Sequence, residues 1–257
     1  MKKKMFYYSD PLTDDFASTK IIATPTPADF DYLPENVLYK IGSFIAYYGA
    51  AKPFSWAYDK VAFHHRYINK KALKGYPGRF CFANHVLEAG DAYIPNAVDG
   101  GRNYIVTGPE AVSIKGIRTL VKMIGALPRP STVKGAANFM RAAEKIVKRG
   151  QSVTVYPEAH IWPYYTKIRP FRDDSFDLPV RFGVPCFSFT NVMLKSRLPF
   201  RRRPVVKTYI NGPFFPDPSI PRREAAKKLR DEVFESMVRE AEKQEQYVTH
   251  KYIEKQN

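Results

Sequence analysis

Five short runs rich in β-branched and aromatic residues recur along the chain: RFCFA at 79–83, NYIVT at 103–107, SVTVY at 152–156, VPCFSFTNV at 184–192 and RPVVKTYI at 203–210. Their length and composition suit strands of a protein core. Stretches with helical periodicity separate them. The clearest follows Ser131 and Thr132, which can cap it. It sets Ala136, Phe139, Met140, Ala143, Ile146 and Val147 at helical spacing and stops at Gly150. Strands alternating with helices predict an α/β domain with a central, mostly parallel or mixed sheet flanked by helices. Ligands of such sheets bind at the carboxyl ends of the strands.

The flanking segments read differently. Residues 1–35 are polar and broken by Pro25, Pro27 and Pro34, which predicts an extended arm. Residues 36–70 form a helical segment interrupted near Pro53, and 71–257 form the main domain. In that domain Gly108 and Pro109 open a helix that runs to about 124. The stretch 125–130 is a short strand or loop, and a short helix covers 176–182. A long charged helix over 221–246 carries Leu229, Val233, Met237 and Ala241 as its apolar stripe.

Of the 257 residues, 41 are Lys or Arg and 25 are Asp or Glu, giving a formal charge of +16 that calls for an anionic partner. Cys81 and Cys186 lie inside apolar runs, with no disulfide framework and no metal-ligand spacing. They read as inert core in a reducing compartment. The N-terminus has a basic cluster followed by acidic residues, which is not the pattern of a secretory signal. No window reaches the roughly 18–20 apolar residues of a membrane span. The stretch 37–58 comes nearest and is rich in Tyr, Phe and Trp. It fits an interfacial segment lying on a membrane. Taken alone, it fits slightly better an ordinary buried helix with an aromatic face.

The candidate chemistry begins at the end of the first run, where Asn84 and His85 are followed by Glu88 and Asp91. A carboxylate that accepts a hydrogen bond from one imidazole nitrogen fixes the tautomer and frees the other nitrogen to take a proton. A lone histidine is also a common structural residue. Glu158, after SVTVYP, occupies a second strand end. No nucleophile elbow, Walker loop or dinucleotide fingerprint is present.

The order of blocks NHVLEAGD, GALPRP, VYPEAHIWP and VPCFSFT, closed by TYINGPFF, spans about 80–213. It resembles the glycerophospholipid acyltransferases of the lysophosphatidic acid acyltransferase type. Two departures stand out. That family usually keeps four residues between the His and the Asp, whereas five separate His85 from Asp91. In the third block Ala159, His160 and Ile161 stand where the family has Gly, Thr and a phosphate-binding Arg.

The resemblance implies acyl transfer from a thioester, acyl-CoA or acyl carrier protein, to a hydroxyl of a lysolipid such as lysophosphatidic acid. His85 is then the general base and Asp91 its orienting carboxylate. Asn84, Arg129 and Glu158 are substrate-binding residues, with Arg169 and Arg172 compensating for the missing Arg. No metal or redox cofactor is implied. Between the two carboxylates the reading favours Asp91: Gly90 can absorb the extra residue, and Asp91 can cap the next helix. The basic run at 195–207 and the aromatic segment then provide two signals for peripheral attachment to the cytoplasmic face of an anionic membrane. Nucleic acid is not an expected partner. Other readings are an acyltransferase for a different lysolipid or a glycolipid, and a non-catalytic basic protein that binds lipid or nucleic acid.

Overall fold

The structure is a computed structural model that describes residues 3–17, 21–114, 116–198, 200 and 203–255. Its centre is a seven-stranded mixed sheet flanked by helices, in the order β2 (Arg66–Ile68), β8 (Val205–Phe214), β7 (Cys186–Leu194), β3 (Arg79–Ala83), β6 (Ser152–Val155), β4 (Asn103–Thr107), β5 (Ala126–Pro128). All neighbours run parallel except β7 and β8, an antiparallel pair with Thr190 opposite Tyr209. Each of the five apolar runs contributes a strand. β3 lies centrally and is buried on both faces. Phe80 and Phe82 point into one core, Cys81 and Ala83 into the other, as a period of two requires. Burial pushes the Cys81 thiol up to about 12 and that of Cys186 well above its ordinary value.

Helices cover both faces. On the Phe80 side lie α5 (Val133–Lys148), α6 (Asp177–Phe182) and α7 (Arg222–Glu242). Thr132 caps α5 by accepting from the Gly135 N–H at 3.0 Å. The Leu229–Val233–Met237 stripe of α7 packs onto the sheet. On the opposite side α3 (Ala89–Val98) supplies Ile94 and Val98 to a core shared with Phe63. Helix α4 (Arg118–Met123) precedes β5. The helix expected over 108–124 is instead a 3₁₀ turn at Pro109–Val112 followed by this short helix.

The segment after the arm is helical without a break from residue 37 to 63. α1 (Val37–Phe44) leads into a π-helical stretch, Ile45–Ala51, then α2 (Lys52–Tyr58), then a second π-helical turn, Asp59–Phe63. Pro53 does not interrupt it. Pro53 falls in the first turn of α2, directly after the π-helical stretch, where the wider winding accommodates a residue without an N–H. The arm and the C-terminus differ most from expectation. β1 (Lys4–Tyr8) pairs in parallel with β9 (His250–Glu254) as a separate two-stranded sheet.

Arg79, at the start of β3, donates to Asp99 at 2.6 Å, and both side chains are buried. The Ser152 hydroxyl and the Gly101 N–H also donate to Asp99, so this carboxylate joins the amino ends of β3 and β6. Asp99→Ala leaves the guanidinium charge uncompensated. A loss of about 3–5 kcal/mol is expected for breaking a buried pair from one side. Urea unfolding followed by circular dichroism measures it. A midpoint equal to that of the unsubstituted protein would show that the pair carries no stability.

Candidate active site

The carboxyl ends of β3, β6, β4 and β5 surround a cavity of about 1000 Å³. Ile105, Val106, Val121, Ile124, Phe139, Met140, Val155 and Ile161 give it an apolar wall. His85, Glu88, Asp91, Arg129, Tyr156 and Arg172 are among its polar lining. The lining is mostly apolar, unlike a site for a small polar metabolite.

In the cavity wall His85 Nδ1 lies 2.7 Å from Asp91 Oδ2. Asp91 is buried, and the same oxygen accepts the Leu87 N–H at 3.0 Å. An ionised carboxylate only accepts, so the pair places the proton on Nδ1 and leaves Nε2 free as an acceptor. The extra residue in the loop is absorbed by an unexpected route. Glu88 takes φ 46° and ψ −110°, a strained conformation for a residue with a side chain. Gly90 is needed for space instead. A Cβ there would come within 2.9 Å of both Leu87 and Phe63. Asp91 does not cap α3 from outside. It lies in the first turn and reaches back to the Leu87 N–H.

Arg129 and Arg172 line the cavity. Arg129 is exposed, and Arg172 faces Asp174 at 4.0 Å. Asn84, Glu158 and Arg169, expected as substrate-binding residues, do not line it; their contacts lie within the protein. Asn84 is buried, donates to the Asn191 carbonyl at 3.0 Å and accepts the Asn191 N–H at 2.8 Å, which ties the end of β3 to β7. Glu158 and Arg169 form a fully buried pair at 3.1 Å. Glu158 also accepts the backbone N–H groups of His85 and Arg169, each at 3.0 Å. The Arg169 guanidinium donates to the carbonyls of Pro11 and His160 and lies over the Trp162 ring. Both terminal nitrogens of Arg169 are thus engaged inside the protein, and the side chain is buried.

The sequence reading missed two contributors. The Tyr156 ring stacks on the His85 imidazole with centroids 4.3 Å apart and planes at 22°, and its hydroxyl donates to the Asp91 carbonyl. The segment around Trp162 is the second. The Trp162 N–H donates to the His85 carbonyl at 3.1 Å and the Tyr164 N–H to that of Val86 at 2.8 Å, so this loop pairs with the histidine loop. Ala159 within it has φ 63°, a backbone state that glycine adopts freely, which explains a Gly at this point in related blocks.

Glu158→Gln is therefore a test of stability before it is a test of activity. Removing the charge leaves Arg169 buried and unpaired, with an expected loss of about 3–5 kcal/mol. Thermal or urea unfolding checks it. An unchanged midpoint would mean that the pair does not hold these loops.

No family model matches the chain, and no curated protein does. Among solved structures it is similar to the 1-acyl-sn-glycerophosphate (LPA) acyltransferase PlsC from Thermotoga maritima, with 17% sequence identity and a TM-score of 0.55. The match covers 82% of this chain and 96% of that one. The chain therefore has the fold of the glycerophospholipid acyltransferases of the lysophosphatidic acid acyltransferase type.

Proposed function

We propose that this protein is an acyltransferase that moves a fatty acyl group from a thioester to a hydroxyl of a lysophospholipid such as lysophosphatidic acid. The observation that carries the reading is the His85–Asp91 hydrogen bond of 2.7 Å in the wall of a largely apolar cavity, on a fold shared with PlsC. His85 Nε2 removes the acceptor hydroxyl proton while Asp91 holds the ring and supports the imidazolium that forms. The hydroxyl oxygen bonds to the thioester carbonyl carbon. The carbon–sulfur bond then breaks, and the departing thiolate takes the proton from the imidazolium. The apolar wall accommodates an acyl chain and excludes water, which would otherwise hydrolyse the thioester. The oxyanion needs other donors than the His85 and Leu87 N–H groups, because Glu158 and Asp91 already occupy them.

Acyl-CoA and acyl carrier protein both fit as donor. Arg129 and Arg172 are the cationic groups of the cavity suited to an anionic head group or to donor phosphates. Ile161 lines the cavity where related blocks have an Arg. That favours a second reading, in which the acceptor is another lysolipid or a glycolipid.

A peripheral position on the cytoplasmic face of an anionic membrane is part of the proposal. Val37, Leu38, Ile41, Phe44, Ile45 and Tyr48 recur at helical spacing and are all exposed, Leu38 by 80%. Ile117 and Leu120 are also exposed, on and beside α4, which packs on α1. A contiguous apolar face of this kind on a helix suits insertion at the headgroup boundary. No helix among the described residues is long and apolar enough to cross a membrane. The basic run at 195–207 follows β7 in the chain and enters β8 at Val205; its Pro199, Arg201 and Arg202 lie outside the described residues. Basic side chains near an anionic leaflet contribute about 1 kcal/mol each.

Turnover of labelled acyl-CoA with a lysophospholipid tests the chemistry. His85→Ala and Asp91→Asn are expected to remove most of kcat, by up to about 10⁴-fold for an orienting carboxylate. Glu88→Gln should be mild. A dead Glu88→Gln beside an active Asp91→Asn would reverse the assignment.

Flotation with vesicles containing anionic phospholipid tests the surface. The double substitution Leu38→Glu and Ile41→Glu should release the protein while leaving its unfolding midpoint unchanged. Undiminished flotation would remove α1 from the membrane contact.

A further inference from the structure

We propose that Tyr156 is a positioning residue for His85, an inference that rests on the acyl-transfer reading of the same site. Three contacts close a ring. The Tyr156 hydroxyl donates to the Asp91 carbonyl, the Asp91 carboxylate accepts from His85 Nδ1, and the His85 imidazole lies on the Tyr156 ring. The Asp91 contact fixes the imidazole within its plane, and the stack fixes the plane itself. Together they leave one direction for Nε2. Neither contact alone does this, because a single hydrogen bond allows the ring to tilt about its axis.

The position of Tyr156 follows from the fold. It is the first residue after β6, the neighbour of β3 in the sheet, so the two strand ends deliver the two rings side by side. Burial and the carboxylates of Asp91 and Asp59 push the phenol well above its ordinary value, so it remains a hydrogen-bond donor at working pH. A protonated imidazole over an aromatic face gains a cation–π attraction. The stack therefore favours the imidazolium that forms when His85 takes the proton. Tyr156 touches neither reacting bond. It acts through the orientation and basicity of His85.

Two substitutions separate its contacts. Tyr156→Phe keeps the aromatic face and loses the hydroxyl, whereas Tyr156→Leu loses both. Misplacement of a reacting group by about 1 Å can cost roughly 10²-fold in rate. Tyr156→Leu should lower kcat on that scale, with KM little changed and the acidic limb of the pH profile moved to lower pH, because the imidazolium is more acidic without the stack. Tyr156→Phe should restore the position of that limb and part of kcat. Titration of His85 by ¹⁵N NMR in the same folded variants is independent of turnover. It should show a lowered imidazole pKa in Tyr156→Leu and a value near that of the unsubstituted protein in Tyr156→Phe. If neither substitution alters the titration or the ¹⁵N-reported tautomer of His85, Tyr156 is packing alone and the proposal fails. If the titration moves as expected but no variant, nor the parent, turns over thioester, the positioning stands and the acyl-transfer reading fails.

Discussion

Much of this architecture hangs on one buried ion pair. Charges removed from water are costly unless their remaining hydrogen-bonding capacity is met. Glu158 meets that condition with three donors: the backbone N–H groups of His85 and Arg169 and the Arg169 guanidinium. Arg169 reaches further, to the carbonyls of Pro11 in the arm and His160 in the loop after β6. The pair thus joins the histidine loop, the loop after β6 and the N-terminal arm. Trp162 extends the junction, since its indole N–H donates to the Asp14 carbonyl and its ring stacks on Tyr252 of β9. The chain termini, paired as β1 and β9, clamp the loop that holds the backbone of His85.

The helical segment 37–63 shows an inverted amphipathicity. A helix on a soluble protein usually turns its apolar face inward. Here the buried residues are mostly polar, Ser43, Tyr47, Ser55 and Asp59, with Phe63 alone of the buried ones wholly apolar. The buried Tyr47 hydroxyl accepts the Asn103 N–H at 2.8 Å and donates to Asn96, while Arg102 lies over the Tyr47 and Tyr104 rings and donates to Ser43. At the far end, burial holds the Asp59 carboxyl up at about 7 and the His65 imidazole down at about 3. Both are therefore neutral between about 3 and about 7, as an apolar surrounding demands. His65 Nε2 contacts the Thr208 hydroxyl at 2.6 Å, and Thr208 donates to Asn191, the partner of Asn84. The segment is thereby fastened by directional bonds to the sheet and to the residue before His85. Most of its large apolar residues are left facing outward, while Phe63 enters the core at its far end.

The central strands were legible because each is buried on at least one face and therefore spelled in β-branched and aromatic residues. β1, β2 and β9 were not. They are short and lie at edges or in the separate two-stranded sheet, where backbone pairing carries them with little demand on composition. The His and Asp of the first block were legible as a pair, since a histidine with a nearby carboxylate has few arrangements open to it. The partition of Glu158 and Arg169 was not, because a buried ion pair and a substrate-binding pair use the same residue types. Only the count of internal donors separates them. Tyr156 escaped for a similar reason: within SVTVY it completes the strand pattern, and nothing in that pattern tells which face of the last ring meets a histidine.

The five-residue spacing between His85 and Asp91 can be followed to its cause. Asp91 stands in the first turn of α3, where the backbone N–H groups point outward and a negative charge is favoured. Its carboxylate reaches back over that turn to the Leu87 N–H, so it is already directed toward the residues that precede the helix. An imidazole two residues before Leu87 can then be met by the same oxygen, provided the chain between them turns sharply. Glu88 supplies the turn at the cost of an unfavourable backbone conformation, and Gly90 lets the turn pack against Phe63. Such strain persists only where the surroundings over-determine it. Here the Asp91 carboxylate, the Glu158 clamp on the His85 N–H and the paired loop around Trp162 do so together. The longer spacing thus moves the strain to Glu88 and leaves the contact between His85 and Asp91 at hydrogen-bonding distance.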